Sequence, residues 1–164
     1  FIFLAPEVFR LYSSEEYWTM IPLIPIIAAS SYLMLLYTFA VNYEFYMKQT
    51  KLIAMGSCIA ALCNFILNSF LIPVFGITGA AVATCISYVL LFIFHQFMAV
   101  TISKKNKEYP YHLKWAYIVK PFLLMLVIIV ISYCLQNYMF IRWGLAGCIG
   151  VCWIVDLYRR KSIF

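Results

Sequence analysis

Few residues in this chain are equipped for acid–base or metal chemistry: two histidines, six carboxylates and six cysteines in 164 residues. His95 stands late in a long apolar run, beside Gln96. An imidazole titrates near neutrality, so His95 is a candidate for ion coupling. The other reading is a hydrogen-bonded histidine near an interface. His112, the second histidine, is too far along the chain to complete a helical two-histidine metal pair. There is no nucleophile elbow, no phosphate-binding loop and no glycine-rich dinucleotide turn. Catalytic residues, a metal and a cofactor are therefore not expected. Cys58, Cys63, Cys85, Cys134, Cys148 and Cys152 all lie within apolar runs, without a CxxC, and read as small hydrophobes.

The remaining polar side chains in apolar stretches are amides, hydroxyls and one lysine. Asn64 and Asn68 are four residues apart and share a helix face. They read as hydrogen-bonding glue between helices or as a cavity lining. Thr84 and Ser87 belong to a run of small residues, Gly76-Ile-Thr-Gly-Ala-Ala81 with Ala83, whose default role is close helix packing. Lys120 lies inside an apolar run, near enough to its basic end to snorkel. Glu44 and Lys48 have the spacing of an exposed helical ion pair.

These side chains must be positioned by helices. Of all residues 66% are apolar, 19% aromatic and 11% charged. A soluble domain carries about 25% charged residues, and a disordered chain needs low hydrophobicity, so neither class fits. A span needs about 20 apolar residues. Five such stretches occur, at about 21–43, 52–71, 78–102, 115–138 and 140–157. Pro22 and Pro25 fall in the first turns of the first span, Pro121 predicts a kink in the fourth, and Pro73 with Gly76 predicts a tight turn joining the second and third. Residues 1–9 read as the end of a truncated preceding span, and 10–20 as an external loop. Lipid offers no partners for backbone groups, so the spans are helical. The fold class is an all-α polytopic membrane bundle.

Nine of the twelve basic residues fall in the loop after the first span (Lys48, Lys51), the loop after the third (Lys104, Lys105, Lys107, Lys114) and the tail at 158–164 (Arg159, Arg160, Lys161). The positive-inside bias places these in the cytoplasm, with the N-terminal loop outside. The same bias accounts for the net charge of +6 without a nucleic-acid partner. Trp18, Tyr17, Trp115, Tyr117, Tyr138 and Trp143 sit near span ends as interfacial anchors.

Certain phrases are similar to a known family. Leu4-Ala-Pro-Glu-Val-Phe-Arg-Leu-Tyr12, Glu16-Tyr-Trp18 and the stretch from Tyr37 through Asn42-Tyr-Glu-Phe-Tyr-Met-Lys-Gln-Thr-Lys51 are three of them. Ala61-Leu-Cys-Asn-Phe-Ile-Leu-Asn-Ser-Phe-Leu-Ile-Pro73, Phe75-Gly-Ile-Thr-Gly-Ala-Ala-Val-Ala-Thr84 and Ser87-Tyr88 are the others. Together they resemble the second half of oligosaccharide (O-antigen type) flippases, of the superfamily shared with multidrug exporters. The resemblance covers residues 1 to about 103. The segment 37–51 resembles the polysaccharide branch more than the exporters.

The resemblance implies that this is the C-terminal lobe of a two-lobed bundle, the N-terminal lobe being a missing partner. It implies translocation of an undecaprenyl-pyrophosphate-linked oligosaccharide across a bacterial cytoplasmic membrane by alternating access, coupled to an ion gradient. A pyrophosphate needs a cationic path, and Lys120, Lys51, Lys48 and Arg10 are the cationic candidates by charge and depth. Membrane lipids are the other expected partners. The alternatives are a multidrug exporter or a membrane polysaccharide polymerase or ligase. The latter class is expected to carry a large external catalytic loop, whereas the longest loop here is the internal one at 103–114.

Overall fold

The computed structural model describes residues 3–106, 108–112, 116–135 and 138–161. All of its elements are helical, with no strand among the described residues. They are α1 (Ala5–Tyr12), a 3₁₀ segment (Glu15–Leu23), α2 (Ile24–Tyr46), α3 (Thr50–Lys105), α4 (Ala116–Cys134) and α5 (Met139–Lys161).

Two stretches are long and apolar enough to cross a membrane: Glu15–Tyr46, with mean hydropathy 1.9, and Thr50–Lys105, with mean hydropathy 2.2. Only 22% and 17% of their most apolar windows are buried inside the protein. The core helix of a soluble domain would be mostly buried. Here Leu62, Phe65, Phe70, Val74 and Phe75 are all more than half exposed. Two such helices suggest membrane association. Ile118–Ile131 and Met139–Cys152 are apolar but shorter.

The expected boundaries shift by a few residues. The expected external loop at 10–20 holds the end of α1 and most of the 3₁₀ segment, which contains Pro22; Pro25 is the second residue of α2. The expected turn at 73–76 narrows to one residue. Helix continues through Pro73, and the reversal is made at Gly76, with φ 58° and ψ −136°, a backbone conformation open to glycine and costly for other residues. Gly79 then lies so close to the other arm that a Cβ there would meet Leu71 O at 2.4 Å. Farther along, a Cβ on Gly56 would meet Phe94 and His95 at 2.7 Å. The arms 50–75 and 77–105 thus form an antiparallel hairpin. Its close approach at Gly56 and Gly79 agrees with the expected packing of the second and third spans.

The chain divides into two compact units. One comprises Phe1–Ile24 and Pro121–Phe164, and the other Pro25–Lys120. In the first, Arg142, only 2% exposed, is paired with Glu7. Arg10 is exposed and lies over the Trp18 ring, 5.7 Å from its centre. The second unit holds α2, both arms of α3 and the segment that follows. On α2, Ser30, Leu33, Leu36, Ala40 and Glu44 make a buried stripe. On the second arm of α3 the buried stripe is Gly79, Ala83, Ser87, His95 and Ala99, all in one four-residue register. Apart from His95 and the half-buried Leu91, small residues fill that register, and the imidazole is carried into the packed seam.

Candidate functional site

His95 and Glu44 are the largest fully buried side chains, each 0% exposed. They meet each other across 51 residues of sequence. His95 Nδ1 lies 3.0 Å from Glu44 Oε1 and 2.9 Å from Oε2. Which of the two groups donates follows the tautomer of the ring. Nε2 is buried and has no hydrogen-bond partner.

The surroundings are aromatic and tight. The Tyr37 ring, from α2, is centred 5.9 Å from the imidazole, and Tyr37 stacks with Tyr88 at 6.3 Å. Phe94 meets the imidazole edge-on at 5.2 Å. Gly56, on the first arm of α3, leaves the space that Nε2 faces. Next along the chain, Gln96 accepts from the Tyr111 hydroxyl at 3.1 Å through Oε1, while its buried Nε2 is unpartnered. The segment 108–112 is tied down further. The Tyr111 N–H donates to Ser103 Oγ at 2.8 Å, and the Tyr43 hydroxyl donates to Tyr109 O at 2.8 Å. Burial pushes the Tyr111 phenol above its ordinary value; the hydrogen bond to Gln96 opposes this, and the negative charge of Glu44 adds to it.

The expected Glu44–Lys48 pair is not formed. Helix α2 ends at Tyr46, and Lys48 takes a left-handed conformation with φ 56°. Lys48 N–H donates to Phe45 O and Gln49 N–H to Glu44 O, both at 2.9 Å, in the pattern of a Schellman cap. This cap breaks the helical register that four-residue spacing requires, so Lys48 is exposed while Glu44 turns inward. Sequence reasoning singled out His95, as a candidate for ion coupling or a hydrogen-bonded histidine near an interface, and missed its partner. Glu44 lies one residue beyond the first apolar stretch and two before the end of α2, so nothing in its spacing marked it as a buried partner.

The other candidates are placed differently from the pair. Asn68 Nδ2 donates to Asn64 Oδ1 at 2.9 Å along one helix, while Asn68 Oδ1 is buried without a partner. Thr84 Oγ1 donates to Ala80 O at 3.0 Å and Ser87 Oγ to Ala83 O at 2.8 Å; these hydroxyls also bond back onto their own helix. Lys48, Lys51 and Lys120 are exposed, with no ion pair among the described residues. Lys48 and Lys51 flank the start of α3, Lys120 lies within α4, and Arg10 belongs to the other compact unit. Trp18, Tyr17, Tyr138 and Trp143 are exposed. Lys107, Lys114, Trp115 and the end of the basic tail at 162–164 lie outside the described residues. Among the described residues no three His, Cys, Asp or Glu gather as a metal site.

No family model, curated protein or solved structure matches the chain.

Proposed function

We propose that the chain is the C-terminal lobe of a polysaccharide-precursor flippase in a bacterial cytoplasmic membrane. It works with an N-terminal lobe to move an undecaprenyl-pyrophosphate-linked oligosaccharide by alternating access, driven by an ion gradient. The observation that carries the reading is the Glu44–His95 pair, fully buried among helices whose apolar surfaces face outward. Ionisable groups at such depth are expensive, and they mark ion or substrate pathways. The likeness of segments 4–18, 37–51 and 61–88 to oligosaccharide flippases supplies the substrate class. Close-packed seams at Gly56 and Gly79 suit an element that moves as a rigid body.

The test joins residues 1–164 to the polypeptide encoded immediately upstream and reconstitutes the product in vesicles. Labelled undecaprenyl-pyrophosphate oligosaccharide should become accessible from the opposite leaflet, and cationic drugs should not be accumulated. Residues 1–164 alone should not flip lipid. Drug transport without lipid translocation would assign the chain to the exporters, and flipping by residues 1–164 alone would overturn the lobe assignment.

A further inference from the structure

We propose that the cavity at the lysine-bearing end of α2 and the α3 hairpin holds the phosphodiester headgroup of an anionic glycerophospholipid from the surrounding membrane. All of its lining belongs to the unit Pro25–Lys120. The site is separate from the Glu44–His95 pair and stands whether or not the chain carries a lipid-linked oligosaccharide.

The cavity has a volume of about 620 Å³. Ligand pockets run from about 300 to 1,000 Å³, so there is room for a headgroup and not merely for a water molecule or a lone ion. It opens where the turn between α2 and α3 faces the last turns of α3.

The polar part of the lining suits an anion. Lys105 supplies a positive charge and is exposed to an incoming ligand. The Gln49 side chain makes no cap bond to α3, which leaves its amide open to a ligand. Asn106 Oδ1 already accepts from the Glu108 N–H at 3.2 Å, which leaves Nδ2 to donate. The Thr101 hydroxyl is spent on Phe97 O at 2.8 Å. Among the described residues no carboxylate lines the cavity, and Glu44 is turned away, fully buried against His95. Lys48, Lys51 and Lys104 are exposed and adjoin the lining residues Gln49, Leu52 and Lys105 in sequence. Their charges add to the attraction for an anion.

The apolar part decides between a lipid and a dissolved phosphate. Met47, Leu52, Met98 and Ile102 are half-buried and line the same space. A free phosphate gains nothing from them, whereas the glycerol backbone and first methylenes of a lipid lose water against them. Methionine adapts to an irregular apolar partner. Phe45, Tyr46, Phe97 and Val100, neighbours of the lining along the helices, are exposed, so acyl chains have apolar surface to follow. Basic pockets between helices, at the level of the headgroups, are how anionic lipids are recognised.

The experiment titrates residues 1–164 in detergent micelles with dioleoyl phosphatidylglycerol and counts bound lipid by native mass spectrometry. One lipid should bind saturably, and phosphatidylcholine with the same chains more weakly. Excess inorganic phosphate should not displace it. Lys105→Gln should weaken binding about fivefold, the share of one lysine near a membrane surface. Lys105→Arg should restore it. Met98→Trp fills the apolar part without altering charge and should abolish saturable binding. Equal binding of the two lipids, or unchanged affinity in either Lys105→Gln or Met98→Trp, would overturn the proposal. Displacement by inorganic phosphate would make the cavity a dissolved-anion site and overturn the lipid assignment. If Met98→Trp does not fold, Gln49→Ala at the exposed rim replaces it and should also weaken binding; unchanged affinity there would count against the site.

Discussion

Gly56 stands where a single methyl group would lie 2.7 Å from His95 Nε2 and from two atoms of the Phe94 ring. The absence of a side chain on one arm of the α3 hairpin is thus what admits an imidazole from the other. Close approach of the helices and burial of the ionisable pair are the same packing event.

Gly56→Ala should therefore destabilise the protein by about 1–3 kcal/mol, the usual range for overpacking a filled seam. Gly144, Gly147 and Gly150 on α5 have nothing within 4 Å of an added Cβ. Alanine at those positions should be neutral or stabilising by up to about 1 kcal/mol through helix propensity. Unfolding in detergent micelles, followed by circular dichroism, compares the four variants. Equal effects at Gly56 and Gly147 would contradict the packing seen at Gly56.

Breaking the buried pair from one side should cost more than removing it whole. Glu44→Ala is expected to destabilise by about 1–3 kcal/mol, because it leaves a polar partner buried and unsatisfied. The double variant with His95→Ala should fall well short of the summed single losses. A coupling energy of about 0.5–3 kcal/mol is expected from the cycle. Additive losses would mean that the two side chains do not interact.

Lys48 tests strain apart from charge. Its left-handed conformation closes α2, and glycine adopts that conformation without the Cβ penalty. Lys48→Gly should stabilise the fold by about 1 kcal/mol. If Lys48 also contacts a phosphate headgroup, the same variant should lose translocation while gaining stability. A parallel rise or fall of both would tie Lys48 to structure alone.

Tyr111 sets an alkaline limit. Its phenol holds its proton more tightly in the folded chain than in the unfolded chain, chiefly through burial. The stability this contributes is complete below about pH 10, the unfolded value, and is lost as the pH rises through the higher folded value. Tyr111→Phe should flatten the stability profile above about pH 10. It should leave the hydrogen bond to Gln96 unmade at every pH. A steep alkaline loss persisting in Tyr111→Phe would place the limit elsewhere.

The helical class, the strong apolarity and the hairpin at 73–79 were legible along the chain because they depend on local quantities. Continuous apolarity forces backbone groups to pair within a helix. Pro73 and Gly76 mark the turn, and small residues at four-residue spacing mark the seam. His95 stood out along the chain as one of few ionisable residues in an apolar run. The helix end at Tyr46 did not, because the cap rests on an unusual lysine conformation for which no glycine gives a signal. Without that end, four-residue spacing pairs Glu44 with Lys48. Nor did the spacing of Asn64 and Asn68 say whether they would bond to a neighbouring helix or to each other. Sequence by itself determined that this is an all-helical, strongly apolar chain with very few buried charges. Only the tertiary structure decided that Glu44 and His95 are partners, because a contact across 51 residues depends on how α2 packs on the α3 hairpin and on the space left at Gly56.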